Sequence, residues 1–164
     1  MNDFSRTQQY IKFFTEVLKL NKLTNAPTEQ HRIYYNQINL FLSHHALLSA
    51  AQVIDLLSTP SKPFTEQDLK NLVDENKAFF VTAPNFAGYE GYPAFQFDIY
   101  KRRVKPILEP IIEQVSKYYF DWDIVLWLGS YFGDLNSSAI EAIDNPKQHS
   151  LLIQLARNIE NECL

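Results

Sequence analysis

Four histidines, one cysteine and nineteen carboxylates are the groups in this 164-residue chain that could move protons, attack an electrophile or ligate a metal. His31, His44, His45 and His149 are scattered. Read as neighbours on a helix, His44 and His45 point in different directions, so no shared metal site is expected. Cys163 stands alone beside the C-terminus and can form neither an internal disulfide nor a cysteine-rich metal site. It reads as a spare thiol. The carboxylates follow no catalytic spacing, and no Gly-x-Ser-x-Gly elbow is present. A Ser/His/Asp set is recognised by geometry alone, and so stays open at this level. Four glycines leave no material for a phosphate-cradling loop or a dinucleotide fingerprint. The expectation is a protein without catalytic residues, metal or cofactor, hence not an enzyme.

Charge is more informative than chemistry. The net charge of -4 divides into +2 over residues 1–46, -4 over 47–98, +4 over 99–108 and -6 over 109–164. The positive charge concentrates at Lys101, Arg102, Arg103 and Lys105. Four cations beside an acidic remainder make a small footprint for autonomous nucleic-acid binding, and a solvated linker is the simpler reading. Met1 to Leu20 carries Asp3, Arg6, Lys12, Glu16 and Lys19 among its apolar residues. It lacks the unbroken apolar run of a signal peptide or a membrane span, so a cytoplasmic protein with no membrane contact is expected. The Asn136-Ser137-Ser138 triplet matches a glycosylation acceptor but has no secretory context.

Apolar residues form 46% of the chain and aromatics 14%, enough to offset the entropy of folding. Tyr10, Phe13, Phe14, Val17 and Leu18 recur at helical steps between Ser5 and Leu20, and Ile33, Tyr34, Ile38, Phe41 and Leu42 do so after a Pro27-Thr28-Glu29 cap signal. These two helices make a hairpin that packs on the rest of the chain or on a second copy, which leaves homodimerisation open. Ser49 caps a helix over Ala50–Leu57, and the two prolines in Thr59–Pro63 force a turn. Thr65, with Asp68 three residues on, opens a helix running to about Asn76. The run from Ala78 to Thr82 and the segment Tyr92–Phe97 read as the strands of a hairpin. Val104–Tyr119 reads as a helix with an irregular, proline-containing start. Asp121 reads as the cap of a very apolar helix bearing Trp122 and Trp127. Helices over Ser138–Ile143 and Lys147 to about Asn161 complete the chain.

Two stretches carry a resemblance. Residues 47–98, "LLSAAQVIDLL…FTEQDLKNLVDENKAFFV…GYPAFQFD", are similar to the small winged helix-turn-helix that precedes many toxin-binding domains of the Xre/MbcA/ParS antitoxin group, and Tyr92-Pro93-Ala94-Phe95-Gln96-Phe97-Asp98 is the most specific part. Residues 122–144, "WDIVLWL…DLNSSAIEAID", resemble the toxin-binding pattern itself. Asn136-Ser137-Ser138-Ala139 stands where that pattern has glycine and proline. The periodicities give a mainly α fold with an N-terminal helical hairpin over 1–46, and the resemblance, which covers 47–164, implies a degenerate winged helix-turn-helix-like region with a small β-hairpin over 47–98 and a helical toxin-binding-like domain over 99–164.

It also implies a binding protein that sequesters a cognate toxin by covering its active site. The expected protein-binding residues are Trp127, Phe132, Asp134, Asn136, Arg157, Asn158 and Glu160. Trp122 and Trp127, on a short apolar helix, read more readily as core than as interface anchors. The polar tail after Ala156 reads equally as a fraying helix end. One alternative is a transcriptional regulator binding DNA, weakly, through Lys70, Lys101, Arg102, Arg103 and Lys105. On the reading helix, however, Glu66, Asp68, Asp74 and Glu75 oppose phosphate. Phe79, Phe80, Tyr89 and Tyr92 suit protein packing better. A third reading is a mobile-element-encoded inhibitor or adaptor of another protein.

Overall fold

The computed structural model describes residues 29–82 and 90–159. The helix expected over Ser5–Leu20, the Pro27-Thr28 cap signal, Tyr89 and Glu160 lie outside the described residues. The protein is mainly helical, with three small antiparallel strand pairs among the described residues. Helix α1 spans Glu29–Leu42, strand β1 Leu47–Leu48, α2 Ala50–Leu57, α3 Glu66–Asp74, β2 Tyr92–Pro93, β3 Phe97–Asp98 and β4 Arg103–Val104. Then come α4 Leu108–Val115, α5 Trp122–Gly129, β5 Tyr131–Phe132, β6 Ser137–Ser138, α6 Ala139–Ile143 and α7 His149–Arg157. Single 3-10 turns precede β3 and α7, over Ala94–Gln96 and Pro146–Gln148.

Three helices start on reciprocal capping boxes. Ser49 and Gln52 open α2, Thr65 and Asp68 open α3, and Ser138 and Glu141 open α6; each side chain satisfies a backbone N–H that the helix leaves orphaned. Local sequence suffices for these ends. Helix α1 ends in a turn where His44 and His45 lie beyond the helix rather than on it.

The strand pairing departs from the expected hairpin. Tyr92–Pro93 pairs with Leu47–Leu48, and Phe97–Asp98 pairs with Arg103–Val104, while Val81 and Gly91 form only a single bridge. Gln96 supplies the reason. Its fully buried amide accepts from the Phe79 N–H at 2.8 Å and donates to the Phe79 carbonyl at 2.9 Å and the Pro93 carbonyl at 3.1 Å. A side chain thus takes the backbone groups that a second strand would have used, and Pro93 has no N–H with which to extend a ladder. The basic run is therefore a hairpin turn and not a linker. The Lys101 N–H donates to Asp98 Oδ1, and Arg102 takes a left-handed φ of 50°.

Other boundaries also shift. Val104 joins β4, so α4 is confined to Leu108–Val115, with Pro110 tolerated in its first turn. Asp121 does not cap α5: it sits at a φ of 56° without a capping bond, and its carboxylate instead receives the Thr82 N–H at 2.5 Å and the Thr82 hydroxyl. The helix expected from Lys147 begins only at His149, because Asn145 and Pro146 set a 3-10 turn before α7.

One large apolar cluster gathers Tyr34, Ile38 and Phe41 of α1 with Leu108, Ile111 and Ile112 of α4, Trp122, Val125 and Trp127 of α5, most of α6, and Leu152 and Ala156 of α7. Helix α1 packs on α5, and α4 packs along α7. A smaller cluster joins Val53, Leu57, Leu69 and Phe97, and Val104 packs against both. Among the described residues, no helix is long and apolar enough to cross a membrane.

Candidate functional site

The polar residues singled out in the C-terminal part fall at two places. Asp134 and Asn136 occupy the turn between β5 and β6, whose register is Tyr131 opposite Ser138 and Phe132 opposite Ser137. The turn is closed by Leu135 N–H to the Phe132 carbonyl and Asn136 N–H to the Gly133 carbonyl, with Asn136 at a left-handed φ of 52°. Asparagine is among the few side chains that adopt this conformation readily. The Asn136 amide oxygen accepts from the Tyr131 hydroxyl at 2.5 Å. This holds an aromatic ring that is 59% exposed against the turn. Asp134 is exposed beside it.

Trp127 and Phe132, expected as contact residues, are only 1% and 3% exposed. Their rings meet edge to face, with centroids 5.1 Å apart. As direct contacts they are corrected: strand alternation turns Phe132 inward and Tyr131 outward, so Phe132 and Trp127 anchor the hairpin from below. Trp122 is likewise enclosed, edge to face with Phe41 at 5.9 Å. Tyr131, the exposed ring of this hairpin, is not marked by the sequence, since alternation over a two-residue strand is too short to register as a pattern.

Arg157 and Asn158 are exposed at the far end of α7, where Asn158 N–H donates to the Gln154 and Leu155 carbonyls. Ile159 is buried, so the chain is still docked one residue past Asn158. At the near end, Gln148 Nε2 donates to the Leu135 carbonyl at 2.7 Å, which places the β5–β6 turn at the start of α7. The two polar groups are thus separated by the length of a nine-residue helix, about 13 Å. They form no single cluster.

The basic residues are largely engaged within the molecule. Arg102 Nε and Nη2 donate to the Leu56 and Asp55 carbonyls at 3.0 and 2.7 Å, satisfying the C-terminus of α2. Lys105 reaches Asp144 at 2.5 Å, and Lys101 lies 3.9 Å from Asp98. Lys70 is exposed on α3 among Glu66, Asp68 and Asp74, where Asp68 is spent on the cap. Arg103 makes no ion pair among the described residues. Of the aromatics weighed for protein packing, Phe79 is buried, while the partly exposed Phe80 stacks edge to face on Tyr92 at 4.9 Å.

The three imidazoles whose side chains are described, His44, His45 and His149, make local contacts. His149 Nε2 lies 2.9 Å from the Ile143 carbonyl, and His44 Nδ1 lies 3.0 Å from the Leu40 carbonyl at the end of α1. His45 stacks on Phe41 with centroids 4.6 Å apart. Burial and the neighbouring His44 hold its pKa below the ordinary histidine value. Inside the core, the Tyr34 hydroxyl donates to the buried Asp123 carboxylate at 3.3 Å, and burial together with that carboxylate pushes the phenol far up. Among the described residues, no three histidine, cysteine or carboxylate side chains gather as a metal site. No family model, curated protein or solved structure matches this chain.

Proposed function

We propose that this chain is an antitoxin-like, non-catalytic binding protein that presents the β5–β6 turn to a cognate toxin and covers the toxin's active site. The reading starts from the resemblance of residues 47–98 and 122–144 to the Xre/MbcA/ParS group. The observation that carries it is Tyr131, an exposed aromatic ring at a hairpin turn, tied by its hydroxyl to Asn136 and backed by the buried Phe132 and Trp127. A tyrosine ordered in advance contributes contact area while losing little side-chain entropy on binding, which is why such residues are frequent anchors at interfaces. Asp134 beside it, within a segment of net charge -6, favours encounter with a basic cleft.

Co-expression with the product of the neighbouring gene tests the proposal. The expected result is a stoichiometric complex and relief of that product's toxicity. Tyr131→Ala should weaken the complex about thirtyfold or more while leaving the thermal melt near wild type. A neighbouring product that is harmless, or that is neutralised equally well by the Tyr131→Ala protein, overturns it.

A further inference from the structure

The turn between β3 and β4 closes over the α2–α3 pair and leaves a groove of about 410 Å³ that the candidate site does not use. Its polar lining consists largely of Lys62, Lys77, Arg102, Arg103 and Lys105, with Glu109 as the one carboxylate. Five of the fifteen lysines and arginines of a chain with net charge -4 thus converge on one depression from three different stretches of sequence. Leu57, Phe64, Leu72 and Val104 form an apolar floor beneath them.

The cations are not equivalent. Lys77 is held by Glu75 at 2.7 Å, Lys105 by Asp144, and Arg102 by the end of α2. Lys62 and Arg103 are exposed and make no ion pair among the described residues. The groove therefore offers Lys62 and Arg103, neither closed in an ion pair, above an apolar trough, together with Arg102, whose bonds are to neutral carbonyls, while Lys77 and Lys105 are balanced by Glu75 and Asp144. We infer that it is a docking site for an acidic, aliphatic peptide segment of a partner protein, whose carboxylates meet Lys62 and Arg103 while its apolar side chains lie on Leu57, Leu72 and Val104.

Charge complementarity selects the sign of the occupant, and the floor selects its nature. A nucleic-acid backbone would gain from the cations but would leave the apolar floor of Leu57, Phe64, Leu72 and Val104 unused. A peptide that interleaves carboxylates with leucine-like residues satisfies both surfaces. The site shares no residue with Tyr131, Asp134 or Asn136, so the inference stands independently of the toxin-binding proposal.

The test is a titration of the isotope-labelled full chain with an end-capped peptide of alternating leucine and glutamate, followed through backbone amide resonances. The expected result is salt-sensitive binding with shifts concentrated at Leu72, Arg103 and Val104, and no binding of the matching leucine-lysine peptide. The double variant Lys62→Glu/Arg103→Glu should weaken it about tenfold. Lys62→Gln/Arg103→Gln, a gentler change, provides the same comparison if the reversal disturbs folding. Shifts elsewhere, affinity unchanged in the variants, or tighter binding of labelled duplex DNA at the same amides would each overturn the proposal.

Discussion

A single buried amide, Gln96, holds three backbone groups from two segments that pair through no other ladder at that point. Replacing it by alanine leaves the Phe79 N–H and carbonyl enclosed and unpaired, so Gln96→Ala should cost about 3 kcal/mol in urea denaturation. A loss below about 1 kcal/mol would show that water takes over the role of the amide. Carboxylates at this scale divide by environment. Hydrogen bonds from Thr65 hold Asp68 below the ordinary carboxylate value, and those from Ser138 do the same for Glu141, whereas burial outweighs the Thr82 bonds and raises Asp121. A lowered folded pKa means stability that is present above about pH 4 and lost as the pH falls through the folded value, so the starts of α3 and α6 should loosen in acid. Asp121 contributes in the opposite sense: its stabilisation is present below the ordinary value and lost as the pH rises through its own. Carboxyl resonances followed against pH should place Asp68 and Glu141 below, and Asp121 above, their ordinary midpoints. Three unshifted midpoints would contradict these assignments.

At the scale of elements, ends are secured in two ways. Capping boxes act within four residues: Ser138→Ala should cost about 1 kcal/mol and reduce amide protection at Ala139 to Glu141. Arg102 acts over a long range, its guanidinium bonding carbonyls 46 and 47 residues away and so tying the β3–β4 turn to the end of α2. Arg102→Ala should therefore speed hydrogen exchange at both places together, while Arg102→Lys, which lacks the planar fork, should restore little. Acceleration confined to the hairpin would mean that the two ends are not coupled.

Across the whole molecule, α1 belongs to the same apolar cluster as α4, α5, α6 and α7. Ile38 is fully buried in it, and Ile38→Ala should cost about 3 kcal/mol. Tryptophan fluorescence and helical circular dichroism should then lose their native signals at one common midpoint, since Trp122 lies against Phe41 of α1. Separate midpoints would show that α1 and the C-terminal helices unfold independently.

The helical class, the cap at Ser49 and the boundaries of α2 were legible in the sequence, because a capping side chain and a 3.6-residue repeat are local signals that a linear reading contains. Tertiary structure alone decided the strand partners, where the side chain of Gln96 substitutes for a strand, and the fate of Asp121, where Thr82 competes with the cap from 39 residues away. It also turned Tyr131 outward and Phe132 inward, spent Arg102 and Lys105 on intramolecular bonds, and brought Lys62 and Lys77 to the rim beside Arg103. Such choices depend on which groups become neighbours when the core closes, and a side chain with several potential partners is claimed by the one that burial leaves most costly to ignore.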